Sequence, residues 1–195
     1  MSHVLFRRIS ATLAAFLSLA AFAQAHPGHG ADGFAQGFAH PLHGLDHLLA
    51  MLAVGLWAAQ LGGRAKWAVP AAFVGAMAVG GALGMAGVGL PLAEPGIAAS
   101  VLILGLLIAA AVRLPLAAGV ALVGGFALCH GYAHGAEMPA TAAGAVYALG
   151  FAGATALLHG CGFGLGALMQ RGAKAEWLRA GGVAISAAGV LLLWN

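Results

Sequence analysis

The chain has 195 residues, of which 62% are hydrophobic and only 7% charged, with a formal net charge of +3. An ordinary soluble domain is about 25% charged, so this composition cannot supply a water-exposed surface, and long apolar stretches recur from end to end. An all-α, polytopic bundle of helices in a lipid bilayer is the class that fits. The 32 glycines agree, because small residues let transmembrane helices approach closely. The slight basic excess carries no argument for a nucleic-acid partner.

The first 25 residues read as a secretory signal peptide. Arg7 and Arg8 form a basic start, Ile9 to Phe22 an apolar core, and Ala23-Gln24-Ala25 a small-x-small cleavage site. A retained first span is the alternative, but that core is short for a transmembrane helix. Cleavage leaves His26-Pro27-Gly28-His29-Gly30 as a mature N-terminus facing the periplasm, and residues 26–195 then form one transmembrane domain.

Apolar runs between breakers predict six further spans, at about 41–61, 67–87, 95–112, 115–134, 140–162 and 176–194. Pro41 suits the first helical position, where its missing N–H costs nothing. The stretch Gly87 to Pro95 and the segment Glu137-Met138-Pro139 read as breaks. A periplasmic mature N-terminus puts Arg64, Lys66, Arg113, Arg171, Lys174 and Arg179 in cytoplasmic loops, and Asp32, Glu94 and Glu137 on the other side. That distribution follows the positive-inside rule. Gly80 and Gly84, and Gly162 and Gly166, give GxxxG packing faces, and the second pair also permits a helix break. Cys129 and Cys161 fall near opposite ends of consecutive spans and read as free thiols. No simple 3+3 internal repeat is present.

Ionisable groups inside a bilayer are costly unless paired or facing a polar cavity, so each is a functional hypothesis. Two dense clusters occur, His40-Pro41-Leu42-His43-Gly44-Leu45-Asp46-His47 opening the first span and His130-Gly131-Tyr132-Ala133-His134-Gly135-Ala136-Glu137 closing the fourth. Both belong at the periplasmic end. On continuous helices His130, His134 and Glu137 share one stripe, and so do His40, His43 and His47. Glu137 and His40 then sit near the mouth, with His47 and His130 about 10 Å deeper. Asp46 lies about 100° from His47 and either faces a neighbouring helix or orients a histidine.

Burying six ionisable groups for packing alone is a poor alternative, and a ladder of imidazoles and carboxylates suits a divalent cation as partner. Imidazole favours Zn, Cu, Fe or Ni over Mg, Ca or Mn, and no Cys/Met-dominated cluster points to Cu(I). Loading requires neutral imidazole and fails as pH falls through its titration. His159, deep in the fifth span before Gly160-Cys161-Gly162, reads equally as a helix-packing hydrogen-bonder and as an inner station. His26 and His29 are tail residues that a free α-amine would turn into a chelating site.

At the two clusters the sequence resembles the HupE/UreJ family of nickel and cobalt permeases. The family's H-x5-D-H pattern is matched by His40, Asp46 and His47. Its fourth-span pattern, close to F-H-G-x-A/V-H-G-x-E, is matched by His130, Gly131, His134, Gly135 and Glu137, with Cys129 standing where the pattern has Phe. The likeness extends to the signal peptide, the span count and the Ala-Thr-Ala-Leu-Leu-His run ending at His159. It implies a permease of the bacterial inner membrane rather than an enzyme, carrying Ni2+ or Co2+ as cargo for hydrogenase or urease maturation, with no prosthetic group. His40, Asp46, His47, His130, His134 and Glu137 are then the metal residues, and His43, in the x5 gap, is auxiliary. No G-x4-G-K-[ST] motif is present, and a secondary permease is expected, driven by the membrane potential, a proton gradient or downhill diffusion with cytoplasmic trapping.

An intramembrane zinc hydrolase is the principal rival, since His130-x3-His134 has the spacing of such sites. That chemistry needs a closed three-ligand site and a bound water, whereas these ligands climb toward one mouth. A b-type haem between spans one and four would meet poor acidic neighbours. The signal-peptide and topology readings predict that membrane-purified protein begins at His26 and that a C-terminal alkaline-phosphatase fusion is active. An intact Met1 overturns the first, and an inactive fusion the second.

Overall fold

The structure of the protein, a computed structural model, describes residues 31–138, 142–171 and 175–194. The expected signal segment, together with His26, His29 and Lys174, lies outside the described residues. Those described form seven helices and no strand: α1 Ala31–His43, α2 Leu45–Leu61, α3 Ala65–Met85, α4 Ala93–Ala109, α5 Leu116–Glu137, α6 Ala142–Arg171 and α7 Ala175–Trp194. The all-helical bundle is as expected. By length and composition α3, α5, α6 and α7 can each cross a bilayer, and α1 with α2 makes a fifth candidate as a bent pair. The remaining expected span is α4, whose 17 residues rise about 25 Å against a hydrocarbon core of roughly 30 Å.

Two expectations are corrected. The first span is not one helix, for α1 and α2 meet at 83°. Gly44 breaks it with an extended backbone (φ −90°, ψ 115°), and Pro41 lies inside α1 rather than at a helix start. His40 and His43 therefore belong to one helix and His47 to the next, and the three share no stripe. Second, α6 runs unbroken through Gly162 and Gly166 to Arg171, so no helix break occurs there. Its 30 residues rise about 45 Å, more than a bilayer core, and a helix of that length tilts or projects. His159 consequently stands about 18 Å from the end of α6, near mid-helix.

Helices in lipid gain nothing from hiding apolar surface from tails that are equally apolar, so close packing must hold them. Here glycines let backbones touch. Along α3 and α5, Gly80 faces the Leu128 carbonyl, Gly84 that of Tyr132, Gly131 that of Met77 and Gly135 that of Gly81; a Cβ at any of the four would overlap backbone. Gly55 and Gly162 do the same between α2 and α6, as do Gly105 and Gly182 between α4 and α7. The two sequence-predicted GxxxG faces are thus packing faces. At the short helix α4, Gln60 donates to the Ile108 carbonyl (3.1 Å), Arg179 to Ala109 (2.8 Å) and Trp57 to Val112 (3.0 Å). Those bonds satisfy carbonyls at a helix end that lipid would leave orphaned.

Short connections return the chain at each end, so Arg64, Lys66, Arg113, Arg171 and Arg179 gather where α2, α4 and α6 finish. Trp67 and Trp177 are exposed at that end and Trp194 at the other, positions typical of interfacial aromatic belts. Cys129 and Cys161 are free thiols.

Because a Cβ at Gly131 meets backbone and one at Gly125 meets nothing within 4 Å, the two positions should separate packing from helix propensity. Gly131→Ala should cost about 1–3 kcal/mol or more, while Gly125→Ala should be neutral or stabilise by up to about 1 kcal/mol. Thermal unfolding in detergent checks this; equal midpoints for the two variants would refute the packing account.

Candidate metal-binding site

The site begins where α2 begins. Asp46 Oδ1 accepts the His47 backbone N–H at 2.8 Å and lies 2.8 Å from His47 Nδ1. An ionised carboxylate can only accept, so His47 carries its proton on Nδ1 and leaves a lone pair on Nε2. Gly44 makes room for this pair, since a Cβ there would stand 2.8 Å from the Asp46 carboxylate and 3.2 Å from the imidazole. Of the two roles open to Asp46, the structure shows the orienting one.

On α5, His130 and His134 recur at i and i+4 and face α2. The ring centroid of His47 lies 4.7 Å from that of His130 and 4.5 Å from that of His134. His47 Nε2 and His134 Nε2 are 2.6 Å apart. With the His47 lone pair at Nε2, His134 is the donor of this bond. His40 reaches the group across the bend from α1, its centroid 4.5 Å from His134 and 6.4 Å from His47. His47, His130 and His134 are 7%, 0% and 8% exposed, so four imidazoles from three helices form one largely buried group. Among the described residues no three or more His, Cys, Asp or Glu side chains converge donor atoms as ligands of one ion would. The rings pack edge to face, and His47 and His134 bond each other.

The remaining predicted residues stand apart from this group. Glu137 is exposed and lines an open cavity of about 390 Å³ with Glu94, Tyr132 and the start of α4. His43 is exposed at the end of α1 and makes none of these ring contacts. His159 is 3% exposed with no hydrogen-bond partner at either ring nitrogen, and its ring stands edge-on to Phe73 at 5.1 Å. Cys161 is exposed, so the thiol is no neighbour of that buried imidazole.

A family model described as HupE / UreJ protein matches residues 14–192. The chain belongs to the HupE/UreJ family. It is similar to Protein HupE of Rhizobium leguminosarum bv. viciae, with 47% identity over 188 residues that cover 96% of this chain and 98% of that protein. No solved structure matches it. Membership and the apolar helices together make it a multi-pass membrane protein.

In this HupE/UreJ member one further residue completes the site. Ser100 Oγ donates to the Ile97 carbonyl at 2.6 Å and lies 3.1 Å from His130 Nε2. A hydroxyl has one proton. With that proton on Ile97, Ser100 must accept from His130 Nε2–H, which leaves the lone pair on Nδ1, a buried atom without a partner. Ser100 thus does for His130 what Asp46 does for His47. The sequence signal was slight but present, for Ser100 is the one hydroxyl in the apolar α4. Phe73, 5.5 Å from His130 and 5.1 Å from His159, and Glu94 were also missed as site neighbours.

Both orienting residues can be tested with shape-conserving changes. Asp46→Asn and Ser100→Ala should each weaken nickel binding by about 10–100-fold, as losses of ligand-orienting partners do, the first with little change in thermal midpoint and the second with a loss of about 1–3 kcal/mol for the buried N–H it leaves unpaired. In Ser100→Ala, nitrogen NMR of labelled imidazoles should show His130 losing its fixed Nε2–H form. Unchanged affinity and an unchanged spectrum would remove Ser100 from the site.

Proposed function

We propose that the chain is a secondary permease of the inner membrane that carries divalent nickel, or cobalt, inward for hydrogenase or urease maturation. The observation that carries this reading is the convergence of His40, His47, His130 and His134 from three helices inside a lipid-embedded bundle, with the lone pairs of His47 and His130 set on Nε2 and Nδ1 by Asp46 and Ser100. Neutral imidazole is a ligand for nickel and its borderline neighbours. The carboxylates of Glu137 and Glu94 at the open cavity supply negative charge that raises local cation concentration.

The proton between His47 and His134 gives the ion a place. An ion ligated by both Nε2 atoms replaces that proton, which His134 retains by shifting it to Nδ1. The rings then exchange one hydrogen bond for two metal bonds, and both remain neutral ligands once a water entering with the ion has relayed the proton to Nδ1. A path rather than a hydrolytic pocket is also favoured by imidazoles that bond one another instead of fixing three ligands around a water.

The test is uptake of radioactive nickel and cobalt in cells depleted of other importers. His47→Ala and His130→Ala should each abolish uptake, and His43→Ala should retain it at raised nickel. Parent-level uptake in both of the first two variants would overturn the site, and no uptake by the parent would overturn the function.

A further inference from the structure

One helical turn from the imidazole group, three helices bring unlike donors together. Met51 follows His47 by four residues on α2, Met77 follows Phe73 by four on α3, and Thr155 precedes His159 by four on α6. Each pair shares a helix face, and the step between members is about 6 Å along the axis. Thr155 Oγ1 lies 3.4 Å from Met51 Sδ and 3.7 Å from Met77 Sδ. Thr155 and Met51 are fully buried and Met77 is 4% exposed.

One hydroxyl proton stands within reach of three acceptors here, the two thioether sulfurs and a carbonyl. Thr155 Oγ1 donates to the Phe151 carbonyl at 2.9 Å, the usual back-bond of a helical hydroxyl. Its single proton is then engaged, and a thioether has none to offer. Three acceptors therefore share a single proton, so the thioether lone pairs are at most weakly engaged and stay free for a soft cation. A second observation stands on the same α6 face, where His159 is buried with both ring nitrogens unpartnered. One of those nitrogens always carries a lone pair.

We propose that Met51, Met77 and Thr155 form a soft-donor station that takes the divalent ion from the outer imidazoles and passes it to His159. This rests on the transport reading above. Thioethers are weak ligands that favour softer metals, so the station binds loosely enough for the ion to leave, as conduction through successive sites requires. It also discriminates against hard ions such as Mg2+ and Mn2+ after the imidazoles have done so once.

The experiment uses the full chain in proteoliposomes, with nickel chloride outside and a nickel-quenched dye inside. Leu is close to Met in volume, and such volume-conserving swaps are the best tolerated in packed interiors, so the Met51→Leu/Met77→Leu variant should fold. Its uptake should fall at least about tenfold while nickel affinity at the imidazoles, measured in detergent, stays within about twofold of the parent. Thr155→Val should behave alike, and Thr155→Ser, which keeps the oxygen, should restore uptake. Nickel-edge X-ray absorption at two or more equivalents of nickel should show a sulfur neighbour in the parent and none in the double variant. Parent-rate uptake by the double variant, or no sulfur neighbour in a parent that transports, overturns the station alone. A parent that neither binds nor transports nickel overturns the transport reading and the station with it.

Discussion

Lipid tails offer a helix neither hydrogen bonds nor a reason to leave them, so a bundle in lipid is held by how closely its backbones can lie. In this chain the closest approach is between α3 and α5, where Gly80, Gly84, Gly131 and Gly135 meet the opposing carbonyls. Everything at the site depends on it. His130 and His134 stand next to Gly131 and Gly135 in sequence, about 100° around the same helix. The repeated His-Gly pair therefore writes two stripes on α5, one that packs against α3 and one that presents imidazoles to α2. A side chain at either glycine would push α5 away from α3 and shift both imidazoles relative to His47. The glycines of the motif are structural, and the placing of the imidazoles is a consequence of them.

The helix break at Gly44 does comparable work on the other side. A continuous helix would carry His40 two turns away from His47 along one axis. The 83° bend instead lays α1 across the bundle and returns His40 to a ring contact with His134. Gly44 also vacates the space beneath Asp46 and His47. One residue thus both turns the chain and admits the pair that fixes the imidazole tautomer.

Much of this was legible in the sequence, for reasons that differ by residue. The helices were legible because apolar length in lipid leaves few alternatives, and the meeting of His47 with His130 followed from matching depths on two helices. The break was not legible, because Pro41 is equally at home at a helix start and Gly44 is one glycine among 32. The length of α6 was missed because Gly162 and Gly166 read as either a break or a packing face, and only the partner helix decides between them. Ser100 and Phe73 were missed because their significance lies wholly in what stands opposite them. A lone serine in an apolar helix becomes informative once an imidazole is known to face it.

The polar groups of the interior are matched unevenly. An imidazole carries one proton and one lone pair when neutral, and burial makes each expensive to leave unmatched. His47 matches its proton with Asp46 and its lone pair with His134; His130 matches its proton with Ser100. Among the described residues, the fully buried imidazole nitrogens without a partner are His130 Nδ1 and both nitrogens of His159. The protons of His47, His134 and His130 are each held by a partner, whereas His130 and His159 keep a lone pair without one. Under the transport reading proposed above, that asymmetry favours a cation over a proton, and a path equally open to protons would dissipate any gradient across the membrane.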